Sequence, residues 1–256
     1  MLFDCECLMG RPKQPFDGAA AGVVPDAADL VAEMRRLGIA RALVRHRGCL
    51  DAAPEIGNAL LMEEIAPHPQ LIPAWFLTPD GIEGEWQPAA AVEAMLAHYH
   101  VRVAWTLAQG RDAAGFLLEP WCAGELLAAL ESHRAVLLLS YADVALNTLH
   151  NLLTGFPGMP VVMLDVPRYG RNQPLYRLMA LHRNLHLSIS PLYSVHEGIE
   201  DLCRNFGSER LLFGSGYPVC EGGAALAMLN YADITDADRR AIAGENLQRL
   251  LDEVKP

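Results

Sequence analysis

The sequence predicts an α/β protein built as a single (β/α)8 barrel over residues 1–256, and three observations predict it. Eight short apolar, β-branched runs recur along the chain, and each is followed by a longer stretch whose apolar residues have helical spacing. Run starts fall roughly 25 to 40 residues apart, in a chain of the usual size for such a barrel. Several runs are continuously apolar, as strands covered on both faces by helices require. An open doubly wound sheet carries a glycine-rich phosphate loop after its first strand, and Met9-Gly10-Arg11-Pro12-Lys13 lacks that spacing.

In order, the predicted strands are Leu2 to Cys5, Ala42 to His46, Leu71 to Leu77, Arg102 to Leu107, Ala135 to Ser140, Val161 to Val166, Leu185 to Ser190 and Leu211 to Gly214. The first helix, Asp26 to Leu37, places Leu30, Val31, Met34 and Leu37 on one face and stops at Gly38. Helical spacing continues in Pro54 to Ala66, Ala89 to His98, Pro120 to His133, Val144 to Leu153, Pro174 to Leu181 and His196 to Asn205. After the last strand come Gly223 to Tyr231 and a closing helix, Ala237 to Glu253, with Thr235 as its N-cap and Asp238 three residues on.

Composition excludes several functions. Lys and Arg number 20 against 31 Asp and Glu, a net charge of −11; a phosphate backbone or an anionic membrane surface calls for the opposite sign. No apolar stretch reaches the roughly 20 residues of a membrane helix, and Met1 to Cys7 has no basic segment leading an apolar run. A cytoplasmic protein is expected, with Cys5, Cys7, Cys49, Cys122, Cys203 and Cys220 reduced. The expected partner is a small molecule, and homodimerisation through exposed helical faces stays open.

A barrel gathers its function at the C-terminal ends of its strands. The polar residues there are Asp4 and Glu6; Arg45, His46 and Arg47; Trp75; Trp105 and Thr106; Ser140 and Tyr141; Asp165, Arg168 and Tyr169; Ser188, Ser190 and Tyr193; and Ser215, Tyr217 and Glu221.

Two stretches carry a family resemblance. Glu209-Arg210-Leu211-Leu212-Phe213-Gly214-Ser215-Gly216-Tyr217-Pro218, with Ala241 to Leu251, resembles the last strand and closing helix of the amidohydrolase-2 (amidohydrolase-related) branch of the amidohydrolase superfamily. Phe156 to Val162 and Asn184 to Ser190 resemble its sixth and seventh strands, and Asp4 the aspartate before its first metal motif. The resemblance implies a barrel that hydrolyses or decarboxylates small molecules with a divalent metal, zinc or manganese, activating water. It also implies two histidines after the first strand, one each after the fifth and sixth, and an aspartate after the eighth. These positions hold Glu6 and Leu8, Ser140 or Tyr141, Asp165, and Gly216, so the expected member is divergent, with a reduced metal site or none.

Within that frame Glu6 and Asp165 either hold a hard divalent ion or divide acid and base roles; the plainer alternative is a helix cap or a pairing with an arginine. His46 is a general base or hydrogen-bond donor, or else a polar loop residue. Arg45, Arg47 and Arg168 would clamp a substrate carboxylate or phosphate, or pair with Asp51, Asp143 and Asp165. Trp75, Trp105, Tyr141, Tyr193 and Tyr217 would wall the pocket or pack the core, and Ser140, Ser190 and Ser215 would hydrogen-bond the ligand. Gly214-Ser215-Gly216 is an anion cradle or a tight turn; Cys5 and Cys7 read as small buried hydrophobes. The functional expectation is an enzyme, a hydrolase or decarboxylase acting on a small anionic molecule, with a catalytically degenerate ligand-binding barrel as the alternative.

Overall fold

The computed structural model describes residues 1–10, 25–79, 87–107, 116–167, 172–193 and 195–255. Eight parallel strands follow one another around a single sheet in chain order: β1 (Leu2–Met9), β2 (Ile39–His46), β3 (Leu71–Phe76), β4 (Val103–Trp105), β5 (Val136–Ser140), β6 (Val161–Leu164), β7 (Leu185–Ile189) and β8 (Leu211–Phe213). Helices alternate with them, making a (β/α)8 barrel. They are α1 (Ala27–Leu37), α2 (Gly48–Asp51), α3 (Pro54–Ile65), α4 (Pro88–Glu93), α5 (Pro120–Ser132), α6 (Leu146–Gly155), α7 (Gln173–Leu181), α8 (Gly198–Phe206), α9 (Gly222–Tyr231), α10 (Asp236–Arg240) and α11 (Asn246–Asp252).

The helix punctuation follows local chemistry. Asp26 and Asp29 form a reciprocal capping box at the start of α1, and Gly38 ends that helix at a left-handed φ of 71°. Proline opens α3, α4 and α5, where its missing N–H is no loss. Thr235 accepts from the Asp238 N–H at 3.1 Å and caps α10.

Three local differences from the sequence-based expectation have physical causes. β1 runs on through the polar Glu6 to Met9, because its backbone keeps pairing with Val44, Arg45 and His46. Between Asp4 and Cys7 it spends three steps against the two from Ala42 to Val44. That bulge lets buried polar side chains sit within a barrel strand. The predicted single closing helix is broken at Gly244, where a Cβ would lie 2.7 Å from the Met1 carbonyl oxygen; this close approach presses the break against the start of β1. The helix predicted from Ala89 widens into a π-turn over Ala94–His98.

Closure is the weak point of this barrel, since β8 is only three residues long. Beyond it the seam continues through a parallel bridge between Cys7 and Tyr217, with the Leu8 N–H donating to the Tyr217 carbonyl at 3.0 Å. Beneath that bridge the fully buried Asp4 carboxylate accepts from the backbone N–H of Glu6 at 2.9 Å and of Ser215 at 3.0 Å, and the Cys7 thiol donates to it at 3.2 Å. Asn246 holds the other side, donating to the carbonyls of Ser208 and Leu211.

Asp4→Ala is expected to lower the unfolding free energy by about 3 kcal/mol, because two buried N–H groups lose their acceptor. Asp4→Asn, which keeps one acceptor oxygen, should lose less. Urea denaturation checks both, and a wild-type midpoint for Asp4→Ala would show that the seam is held elsewhere.

Candidate active site at the barrel mouth

The C-terminal ends of the strands enclose a cavity of about 240 Å³. Glu6 and Leu8 reach it from β1, Arg45 from β2, Trp105 and Thr106 from the end of β4, Leu138 and Ser140 from β5, Asp165 from just after β6, and Gly216, Tyr217 and Val219 from beyond β8. Arg47, Leu50, Leu107 and Asp143 complete the described lining. The volume lies below the usual range for ligand sites, so a one-ring molecule is the natural size class.

One wall is a carboxyl pair. Glu6, 1% exposed, accepts through Oε2 a short hydrogen bond from the Ser188 hydroxyl, and no donor among the described residues meets its buried Oε1. The Asp165 carboxylate stands against it and accepts from the Ser140 hydroxyl at 2.7 Å. Burial, and next the charge and hydrogen bond of Asp165, push the Glu6 carboxyl well above its ordinary 4.5. Asp165 leaves β6 with a φ of 52°, a left-handed conformation that aspartate tolerates better than most residues. Gly214 makes room for the pair: a Cβ there would fall 2.2 Å from the Ser188 hydroxyl and 2.9 Å from Glu6 Oε2.

The facing wall is cationic and rich in donors. The Arg45 guanidinium lies 5.7 Å from the Trp105 ring centroid. Arg45 Nε, Trp105 Nε1 and the Thr106 hydroxyl are all buried without a hydrogen-bond partner among the described residues. Each such atom costs on the order of 1–3 kcal/mol unless something meets it.

Of the residues expected from sequence, the structure gathers Glu6, Asp165, Arg45, Trp105 and Ser140 around the cavity and puts others elsewhere. Most of the displacements are single steps along a strand. His46 and Trp75 follow and precede inward-facing neighbours, so the pleat turns both outward. The His46 ring packs against Gly10 and Gly48, accepts from the Gly48 N–H at 3.0 Å and points Nε2 toward Glu64 on α3, 3.4 Å away. Trp75 packs on Tyr99 in an outer groove beside α3 and α4, with ring centroids 4.5 Å apart. Tyr141 turns its hydroxyl to the Asn172 amide at 2.9 Å, and Ser215 is taken up in the Asp4 seam. Tyr193 is buried against Gly198, and Ser190 is buried outside the described lining. His196 is exposed beside Glu197, Cys5 and Cys7 are buried thiols, and Arg168 lies outside the described residues. Sequence reasoning chose Ser190 where Ser188, two residues deeper on the same face, holds Glu6; the period-2 repeat of β7 contained that signal.

The metal-ligand pattern implied by the family resemblance can be tested on the same atoms. Leu8 has no donor, and Tyr141 faces away. Gly216 has a φ of 70°, and a Cβ there would lie 2.9 Å from the Cys220 Cβ, so an inward carboxylate has no place. Among the described residues no group of three or more His, Cys, Asp or Glu gathers where it could hold a metal ion. Glu6, Asp165 and Ser140 do not make the four-donor set of a zinc site, and Asp143 on the same lining does not gather with them.

The raised Glu6 carboxyl has a consequence for stability. Its native state holds a proton that the unfolded chain releases near pH 4.5. The corresponding stability is complete below that value and is lost as pH rises from there through the native value. Wild-type protein should therefore lose stability relative to Glu6→Gln over that window, by up to about 1.4 kcal/mol per pH unit. Denaturation midpoints at half-unit steps from pH 4 upward check it; parallel curves would show that Glu6 is ionised in the native state.

Comparison with known proteins places this site in context. No curated protein sequence matches the chain. Solved structures with the same fold include 2,6-dihydroxybenzoate decarboxylase from Rhizobium, 14% identical with a TM-score of 0.75, the match covering 98% of each chain. 5-Carboxyvanillate decarboxylase from Sphingomonas paucimobilis matches with the same identity, TM-score and coverage. The 5-carboxyvanillate decarboxylase of Novosphingobium aromaticivorans, complexed with manganese and 4-hydroxy-3-methoxy-5-nitrobenzoic acid, is 14% identical with a TM-score of 0.75 over 98% of this chain and 96% of its own. Identities this low show a shared fold and nothing finer. The family comparison goes further, for the Amidohydrolase family matches residues 8–252, nearly the whole barrel. The chain belongs to the amidohydrolase-2 family.

Proposed function

We propose that the chain is an enzyme that decarboxylates a small aromatic acid in the cavity at the barrel mouth. The observation that carries this reading is the buried Glu6 carboxyl, paired with Asp165, in one cavity with Arg45. A substrate carboxylate directed at the guanidinium would bring an adjacent ring carbon toward Glu6. As the bond between ring and carboxylate breaks, carbon dioxide leaves and the electron pair stays on the ring carbon. Glu6 gives its proton to that carbon, and solvent restores the proton, with Asp165 and Ser140 holding the acceptor side of the pair. Decarboxylation suits these residues better than hydrolysis, because hydrolysis calls for an activated water and the described donor set does not fit the metal that would activate it. The decarboxylases of hydroxylated benzoates among the structural neighbours support the same substrate class.

A second reading, a ligand-binding barrel without turnover, is favoured by Leu8 and Gly216 standing at two of the family's ligand positions. No helix among the described residues is long and apolar enough to cross a membrane, and we place the protein in the cytoplasm on its acidic charge and unpaired cysteines.

Carbon dioxide release from mono- and dihydroxybenzoates is the expected activity, measured by chromatography of the decarboxylated phenol. Glu6→Gln should lower the rate by about 100-fold or more, the usual worth of a positioned acid. Bound acids with no phenol formed would favour the binding-only reading.

A further inference from the structure

We propose that Arg45 supplies, without any metal ion, the positive charge at the substrate end of this barrel, binding the carboxylate of the aromatic acid together with the Trp105 Nε1–H. This deepens the proposed function and rests on it for the substrate class.

Position is the first support. Leu8 and Arg45 are cross-strand partners in the β1–β2 register, so the arginine rises beside the position where the family resemblance implies a second metal-binding histidine. A side chain without donors and a side chain with a fixed positive charge thus stand together where a cation would otherwise be held. Gly216 extends the same pattern, since its backbone and Cys220 leave no room for an inward aspartate.

Unmet hydrogen bonding is the second support. Arg45 Nε and Trp105 Nε1 are both buried and both lack an acceptor among the described residues, and both residues line the cavity. Two donors cannot satisfy each other, and a divalent cation would satisfy neither while being repelled by the guanidinium. A carboxylate supplies acceptor oxygens to both, and a charge-assisted bond to arginine is among the stronger ones available. The Trp105 ring under the guanidinium holds it in place. Phe76 in turn packs its ring edge-on against Trp105, with centroids 4.6 Å apart, so the platform is fixed from behind.

The test uses full-length protein expressed with manganese and zinc in the medium, titrated calorimetrically with benzoate and with neutral benzamide, before and after EDTA. Metal content is read by elemental analysis. Benzoate affinity should be unchanged within about twofold by EDTA, fall about 10-fold or more in Arg45→Met and less in Arg45→Lys, and fall a few-fold in Trp105→Phe. Benzamide binding should not follow the charge at position 45. If Arg45→Met does not fold, shown by its thermal melt, Arg45→Lys and Trp105→Phe decide. The proposal is overturned if wild-type protein fails to bind benzoate, if EDTA abolishes binding and manganese restores it, or if the folded variants bind as wild type does. Arg45-dependent, EDTA-insensitive binding without carbon dioxide release counts against the decarboxylase reading alone. Carbon dioxide release that requires added manganese counts against this inference alone.

Discussion

The buried Asp4 carboxylate is the constraint on which the rest of the site depends. A three-residue β8 cannot close a barrel through a full ladder, and Asp4 Oδ1 takes the place of the missing rungs by accepting from the N–H of Glu6 on one side of the seam and of Ser215 on the other. Those same bonds fix the backbone of Glu6 and the start of the glycine-bearing turn after β8. Because the bulge lies between Asp4 and Cys7, the tie also sets which way Glu6 points. Closure of the fold and placement of the acid are therefore one event, and a defect in the first would appear as a defect in the second.

Once Glu6 points into the cavity, its surroundings decide its charge. A carboxyl removed from water and set against a second carboxylate is pushed toward its protonated form, since two negative charges in one dry space repel. Ser188 and Ser140 each donate to one member of the pair, which fixes their orientations and leaves Glu6 and Asp165 facing each other. Gly214 permits the arrangement only because it lacks a side chain. Opposite, Arg45 and Trp105 offer donors. The cavity thus has a carboxyl side and a donor side, and on the proposed reading that division would give a substrate an orientation.

The alternation of runs and helices, the stop at Gly38 and the cap at Thr235 were legible because each depends on nearby residues. The site was legible only in part, and the reason is the pleat. Glu6, Arg45, Trp105 and Ser140 face the cavity, while His46, Tyr141 and Ser215 directly follow inward-facing residues and Trp75 precedes one. A strand end named from apolar run-length alone does not say which of two adjacent polar residues turns inward; a one-residue error exchanges the two faces. Register supplies the answer, since Phe76 pairs with Trp105 and Trp75 with Ala104. The break at Gly244 was hidden for a different reason, because it arises from packing against Met1 at the far end of the sequence.

A barrel can change its chemistry while keeping its fold because the ligand end and the core draw on different positions. Leu43, Val44 and Val103 hold the strands together whatever stands at positions 8, 45 and 216. Leu8 and Gly216 carry no donor side chain, and a pocket holding carboxylates alone would repel an anion. Arg45 stands beside Leu8 on the neighbouring strand within a regular cross-strand pairing. On the proposed reading, the positive charge is attached covalently to β2 in the same cavity as the carboxyl pair, which is a physical reason for the pair and the arginine to occur together.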